Sequence, residues 1–104
     1  MRAFVVLTTT PDKKSAEKIA GVLVRQKLAA CVSLRGGFES VYRWKGKVER
    51  AAETLLIIKT SKAKFPKLEK AIRANHPYDV PEILGFGASA GSKPYLNWME
   101  HSLK

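Results

Sequence analysis

Hydrophobic and polar positions change their period several times along this chain, which predicts a series of short strands and helices. Residues 3–9 form an apolar, β-branched run that Pro11 follows closely, so we predict a buried strand there. Between residues 16 and 28 the apolar positions recur every three or four residues. This spacing predicts an amphipathic helix of about four turns that is capped by Asp12 or Ser15.

The next part of the pattern predicts a long β-hairpin. Residues 29–44 have strand character, and the Gly36-Gly37 pair interrupts them as a bulge or bend would. Gly46 permits the positive φ of a two-residue hairpin turn. The returning strand ends in residues 54–60, a nearly continuous apolar run that predicts a central strand covered on both faces.

Helical spacing returns in the second half of the chain. Apolar positions in residues 65–72 alternate with lysines at helical spacing, and Ser61 is the expected N-cap. Residues 83–88 have strand character despite two glycines. Residues 95–99 predict a short terminal helix that Ser92 caps.

The predicted order is β-α-β-β-α-β with an added C-terminal helix. This split βαβ arrangement is the ferredoxin-like sandwich of the α+β class, with one antiparallel sheet and two helices on one face. A chain of 104 residues has the length of one domain, so we expect residues 1–104 to form a single domain.

The second face of the predicted sheet indicates an oligomer. Four strands rich in Val, Leu, Ile, Phe and Tyr would expose a large apolar surface, which monomers rarely do. The hairpin, from about Ala30 to Thr60, is also longer than a two-helix layer can bury. We therefore predict a closed cyclic assembly in which each long hairpin pairs with a neighbour's sheet edge.

Two prolines frame the segment with the densest candidate chemistry. Pro77 and Pro81 restrict their own backbone and that of the residues before them, so the segment is stiff. His76, Tyr78 and Glu82 are therefore held in set directions, as a binding site requires. The alternative interpretation is a rigid connection between helix and strand whose polar groups face water.

The net charge of +10 raises the hypothesis of a basic nucleic-acid-binding module, because clustered Lys and Arg bind phosphates. The basic residues are instead spread over the polar faces of two predicted helices and one hairpin tip, as on solvated surfaces. No segment matches an RNP aromatic motif, a GXXG clamp or zinc-finger spacing. The sequence therefore does not favour nucleic acid as a partner.

The single cysteine, Cys31, excludes an intramolecular disulfide and a Cys-based zinc cluster within one chain. Its small apolar neighbours indicate packing rather than catalysis, and the hypothesis of a Cys31 nucleophile with His76 as base has no local support. No apolar run has the length of a membrane helix, and no secretory pattern is present. We expect a cytoplasmic protein that is not an enzyme.

Seven short stretches lie in the order found in one known family, namely residues 7–12, 27–32, 42–47, 57–60, 76–78, 80–83 and 95–98. Through these stretches the chain resembles the CutA divalent-cation tolerance proteins over nearly its whole length. The resemblance implies a ferredoxin-like subunit, a tight homotrimer akin in architecture to the nitrogen-signalling regulators, and a cytoplasmic role in metal-ion tolerance, with copper the metal most often named.

The resemblance also bears on metal ligands. Some members of the family carry Cys where this chain has Thr8 and a second His where it has Asn75, and those positions are linked with copper. His76 remains, and Glu82 lies six residues further on. Copper(II) sites gather two or more imidazole, thiolate or carboxylate groups. We therefore predict a weak site for copper(II) or another divalent cation at His76 and Glu82.

A second hypothesis is a regulatory trimer that binds a small anion or metabolite in clefts between subunits. Aromatic walls with a few polar groups are typical of ligand pockets, although interface and core packing would explain the same aromatics. Lys59 follows an apolar run, so it must reach solvent, pair with a carboxylate such as Glu82, or contact a ligand. The predicted cleft residues are Tyr42, Trp44, Lys59, Tyr78 and Trp98.

Overall fold

The computed structural model describes residues 1–104 and contains four strands and three helices in the predicted order. None of the helices is long and apolar enough to cross a membrane. The elements are β1 (Ala3–Thr10), α1 (Lys13–Arg25), β2 (Cys31–Trp44), β3 (Lys47–Ser61), α2 (Phe65–Asn75), β4 (Leu84–Gly87) and α3 (Lys93–Ser102).

The four strands form one antiparallel sheet in the order β2-β3-β1-β4. β1 pairs with β3 on one side and with β4 on the other, while β2 pairs only with β3. This is the strand order of a split βαβ sandwich, so the predicted ferredoxin-like α+β fold is confirmed. β3 lies between β2 and β1, so its predicted central position is confirmed, but residues 55, 57 and 59 are only half-buried, so the prediction that both faces are covered is wrong for this subunit.

Asp12 is the N-cap of α1. Its Oδ1 accepts a hydrogen bond from the Ser15 backbone N–H at 2.7 Å, which satisfies one of the free amides of the first turn. The same bond favours the charged carboxylate and lowers the pKa of Asp12. Of the two predicted caps, the structure therefore selects Asp12.

The long hairpin has the two irregularities that its glycines predict. The β2–β3 register shifts between Arg35 and Phe38, where Gly37 has a φ of 73°. At the tip, Lys45 and Gly46 both have positive φ, 50° and 78°. Two successive left-handed residues form the turn that matches the twist of paired strands, and the sequence had indicated only Gly46.

Ser61 is not the N-cap of α2, so that prediction is wrong. Ser61 is the last residue of β3, and the N-cap position is occupied by Lys64, whose side chain makes no capping bond. The Ser61 hydroxyl still accepts the Lys64 N–H at 3.3 Å, because a short turn separates strand and helix. Pro66 lies in the first turn of α2, where no backbone N–H is required.

The main core lies between the sheet and the two helices α1 and α2. Even-numbered residues of β1 and β3 point to this side, because successive side chains of a strand alternate between faces. Ten buried apolar residues form the cluster, with the largest being Val6, Ile19, Leu23, Leu56, Ile58, Leu68 and Ile72.

The opposite face of the sheet is covered only at one end. There α3 packs Met99 and Leu103 against Ala30, with Ala3 beside them. At the other edge, Leu84 and Phe86 of β4 lie opposite Leu7 and Val5 and are 61% and 49% exposed. The exposed apolar face that the sequence predicts is therefore present, although α3 covers part of it.

Candidate functional site

The proline-framed segment joins α2 to β4 and is anchored by the His76 ring. Nε2 of His76 donates to the Thr9 carbonyl at 2.8 Å, and Nδ1 accepts the Tyr78 backbone N–H at 3.0 Å. These two partners fix the neutral tautomer that carries its proton on Nε2. Both ring nitrogens are therefore engaged within the chain.

Tyr78 links the same segment to the sheet. Its hydroxyl donates to Oε2 of Glu53 at 2.9 Å, and its ring lies 5.1 Å from the His76 ring. Burial, and next the hydrogen bond to Glu53, raises the pKa of Tyr78 to about 12. Tyr78 therefore stays protonated and keeps donating to Glu53 across the neutral pH range.

A cavity of about 700 Å³ lies between this segment and the outer half of the hairpin. The segment supplies one wall, and β2 supplies the facing wall with two large aromatic side chains. The lining residues are Thr9, Ser40, Val41, Tyr42, Trp44, Glu53, Pro77, Tyr78, Asp79, Val80 and Glu82.

The charge of this lining is opposite to that of the chain. It contains the carboxylates of Glu53, Asp79 and Glu82 and no Lys or Arg, whereas the chain has 19 Lys and Arg against 9 Asp and Glu. The carboxylates do not converge into a chelate, since no three His, Cys, Asp or Glu side chains are placed to hold one metal ion. The cavity therefore favours cations without offering a preformed metal site.

Four of the seven predicted site residues line the cavity, namely Tyr42, Trp44, Tyr78 and Glu82. His76 lies next to it, behind Tyr78. Of the two candidate metal ligands, Glu82 lies on the cavity wall, whereas His76 does not line the cavity and has both ring nitrogens hydrogen-bonded within the chain.

Lys59 and Trp98 are not part of the cavity lining. The Lys59 amine donates to the Ser33 hydroxyl at 2.7 Å, so its partner is neither Glu82 nor another carboxylate. Trp98 lies on α3, where its ring is 5.5 Å from that of Tyr95. Their predicted role in a cleft between subunits stays a prediction.

Cys31 begins β2, opposite Lys59 in the register, and is half-buried. Burial, together with the neighbouring Cys31 side chain, raises the pKa of Tyr95. The Cys31 side chain therefore contacts α3 rather than the His76 ring, whose nitrogens bond Thr9 and Tyr78.

The sequence reasoning missed Glu53 and Asp79 as site residues. Glu53 directly precedes the apolar run of β3, and strand alternation from Leu55 and Ile57 places it on the sheet face opposite the helices. A charged residue at a half-buried strand position is a signal that could have identified it. Asp79 lies inside the proline-framed segment, so its position alone was a sufficient signal.

Thr8 and Asn75 occupy the two positions that the family resemblance links with copper, and the structure shows what surrounds each side chain. Thr8 is fully buried on the helix side of β1, and its hydroxyl has no hydrogen-bond partner. Asn75 ends α2 and donates its side-chain amide to the Ala71 carbonyl at 2.8 Å. Neither side chain lines the cavity.

The family model described as CutA1 divalent ion tolerance protein matches residues 4–102. The chain belongs to the CutA1 divalent ion tolerance family. The resemblance inferred from the sequence is thereby confirmed.

Curated CutA relatives come from bacteria, plants and mammals. The divalent-cation tolerance protein CutA of Thermus thermophilus is 44% identical over 98 residues, which are 94% of this chain and 95% of that protein. CutA 1 of Oryza sativa, named as chloroplastic, is 43% identical over 98% of this chain but only 58% of its own length. The chain thus spans little more than half of that plant relative.

Solved CutA structures have the same fold. The crystal structure of CutA1 from Oryza sativa matches with a TM-score of 0.97 at 42% identity, covering 100% of this chain and 95% of that one. CutA1 from Thermus thermophilus matches with a TM-score of 0.95 at 42% identity, covering 98% and 99%. The similarity therefore extends over the sheet, the helices and the proline-framed segment.

Proposed function

We propose that this CutA1 family member is a non-enzymatic divalent-cation tolerance protein that binds its cation at the cavity beside the proline-framed segment. The observation that supports this most directly is the lining, which has three carboxylates and no basic side chain in a chain of net charge +10. Such a surface attracts cations locally while the rest of the molecule repels them.

His76 and Glu82 remain the proposed ligands for copper(II) or another divalent cation. An imidazole and a carboxylate are both suitable donors for copper(II). The Nδ1 lone pair of His76 already accepts the Tyr78 N–H, so a metal at that atom must displace this bond. The proposed site is therefore weak and suits a response to excess metal better than permanent storage.

The proposed assembly is a homotrimer. Its support is the exposed apolar face at β4 and the outer half of the hairpin, where Val41 and Val48 are also exposed. Both features need a partner, because monomers seldom leave such surfaces in water. A closed ring in which hairpins pair with neighbouring edges would cover both.

The alternative, a regulatory trimer that binds a small anion or metabolite, has less support from this chain. The cavity offers no cationic side chain to an anion. Lys59, the predicted cationic contact, is hydrogen-bonded to Ser33. Catalysis by Cys31 is also not supported, because both nitrogens of His76 are used elsewhere.

For location we propose the cytoplasm, on the basis that Cys31 is a free thiol. Relatives are described from other compartments, for example a periplasmic CutA from Archaeoglobus fulgidus, 33% identical with a TM-score of 0.95 over 98% of this chain and 99% of that one. Cell fractionation tests the proposal, and recovery outside the cytoplasm would contradict it.

Calorimetric titration with copper(II), zinc and nickel tests the metal role. We expect saturable copper(II) binding that His76→Ala removes and Glu82→Gln weakens. The matched controls are His101→Ala, which removes the other histidine at an exposed site on α3, and Glu17→Gln, which removes an exposed carboxylate on α1. Both controls should bind as the unchanged protein does.

Metal binding that survives His76→Ala, or that is lost equally in His101→Ala, would contradict the proposed ligands. The tolerance role is tested separately in cells that lack their own homologue. Expression of the unchanged chain should improve growth in copper, and the His76→Ala variant should not. Equal growth with both variants would separate tolerance from this site.

A further inference from the structure

Glu53 is a nearly buried carboxylate without a cationic partner. It is 8% exposed, lines the cavity, and accepts one hydrogen bond from the Tyr78 hydroxyl. The three ion pairs of the chain involve other carboxylates, those of Glu39, Glu69 and Glu100. Buried charges are normally paired, so the cavity next to Glu53 lacks a positive group.

The facing wall offers aromatic rings with free surfaces. Tyr42 and Trp44 are about half exposed, and neither stacks on another aromatic ring. Aromatic faces attract ammonium groups through the ring quadrupole and also pack against aliphatic carbon. Glu82 and Asp79 add carboxylates on the proline-framed wall.

This combination suits an organic cation better than a bare metal ion. A metal needs several ligand atoms that converge on one point, and the chain provides no such cluster. An alkyl ammonium needs only charge-assisted hydrogen bonds and an aromatic or apolar surface for its carbon chain. The volume of about 700 Å³ lies within the range of small-molecule pockets.

We propose that the cavity binds an aliphatic di- or polyamine, with its ammonium groups paired to Glu53 and Glu82 and its carbon chain against Tyr42 and Trp44. This goes beyond the proposed function and does not require it, because the amine shares only Glu82 with the proposed metal site and uses Glu53 and the aromatic rings in place of His76. The net charge of +10 repels free amines, so binding must come from the local site.

Calorimetric titration of the assembled protein with spermidine and 1,5-diaminopentane tests the proposal, with 1,5-pentanediol as the neutral analogue. We expect saturable binding of both amines and none of the diol. Glu53→Gln and Glu82→Gln should each weaken spermidine binding roughly tenfold, as expected for loss of a charge-assisted hydrogen bond. Glu17→Gln, the same change on α1, should leave it unaltered.

The ring contribution has its own matched pair. Trp44→Leu should weaken spermidine binding, whereas Trp98→Leu, at an equally exposed tryptophan on α3, should not. Circular dichroism and sizing establish that each variant folds and assembles. If Glu53→Gln does not fold, Glu82→Gln carries the test.

Three results would overturn the proposal. The first is equal binding of amine and diol, and the second is equal weakening by Glu17→Gln and Glu82→Gln. The third is amine binding that appears only after the assembly is dissociated, which would assign the cavity to a side chain of a second copy. The metal proposal is judged independently, because Trp44→Leu should weaken spermidine binding and leave copper(II) binding unaltered.

Discussion

At the scale of single residues, three fully buried threonines show how a hydroxyl can stabilise or strain the core. Thr60 donates to the Leu28 carbonyl at 2.7 Å, and Thr10 donates to the Asp12 carbonyl at 2.7 Å. Thr8 has no partner at all. A buried hydroxyl without a hydrogen bond loses its hydration and gains no protein hydrogen bond that would compensate for the loss.

The first prediction compares Thr8→Val with Thr60→Val, two nearly isosteric changes. Thr8→Val should raise the free energy of unfolding by about 1 kcal/mol, because it removes an unsatisfied hydroxyl. Thr60→Val should lower it by about 1 to 2 kcal/mol, because it leaves the Leu28 carbonyl unpaired. Denaturant unfolding at one protein concentration measures both, and a loss of stability in Thr8→Val would contradict the account.

The second prediction concerns Tyr78 at alkaline pH. Since its pKa rises from 10.0 to about 12 in the folded protein, its contribution to stability is complete below pH 10 and is lost as the pH rises toward about 12. Ultraviolet titration should show a late-ionising tyrosine that Tyr78→Phe abolishes and Tyr42→Phe leaves in place. Because the pKa of Tyr95 is also raised, both variants are made in a Tyr95→Phe background, where a late component that persists in Tyr78→Phe would contradict the assignment.

At the scale of elements, β4 depends on a close approach that glycine alone permits. A Cβ at Gly85 would lie 3.0 Å from the Phe65 ring and 3.2 Å from the Phe4 ring. These two rings pack edge to face, with centroids 6.0 Å apart, and therefore have little freedom to move. The missing side chain lets the edge strand pair with β1 over this aromatic contact.

The third prediction is that Gly85→Ala destabilises the protein by about 1 to 3 kcal/mol, the usual cost of overpacking. Gly36→Ala is the matched control, because a Cβ there meets nothing within 4 Å and the backbone is not left-handed. Thermal unfolding of the two variants provides the comparison. Equal effects at both positions would show that the cost is conformational rather than steric.

At the scale of the whole molecule, the exposed sheet face is the surface that the proposed trimer would bury. Phe86 and Leu84 lie on this face at the β4 edge, whereas Val24 is a comparably exposed apolar residue on α1. If the face is an interface between copies, adding a charge to it should be far more costly than adding one to the helix layer.

The fourth prediction is that the purified chain has the mass of three 11.5 kDa subunits and that Phe86→Lys dissociates it. Val24→Lys should remain assembled, because α1 lies on the other side of the sheet from this exposed face. Light scattering coupled to sizing measures both masses. A monomeric unchanged chain, or dissociation by Val24→Lys alone, would contradict the proposed trimer.

The element order could be predicted from sequence because each element is dominated by local physics. The period of apolar residues separates helix from strand, and Pro11 and Gly46 mark a strand end and a turn. The N-cap of α2 could not be predicted reliably, because a serine at position 61 can be either the N-cap of a helix or the last residue of a strand. Its role depends on pairing with Ala3 of β1, which is remote in sequence.

The candidate site was predictable only in part, for the same reason. Tyr78 and Glu82 could be identified because the prolines that orient them are adjacent in the chain. Glu53 lies 25 residues before Tyr78, and their hydrogen bond exists only once β3 and the segment are brought together. No local sequence pattern predicts a contact between residues so far apart in the chain.

The sequence alone determined the family, the strand and helix order and the stiffness of the proline-framed segment, because these depend on residue type and short-range spacing. The tertiary structure decided that the His76 ring nitrogens are both occupied and that Glu53 has no cationic partner. It also decided that the cavity is acidic within a basic chain. Partners, burial and local charge arise only when distant segments meet.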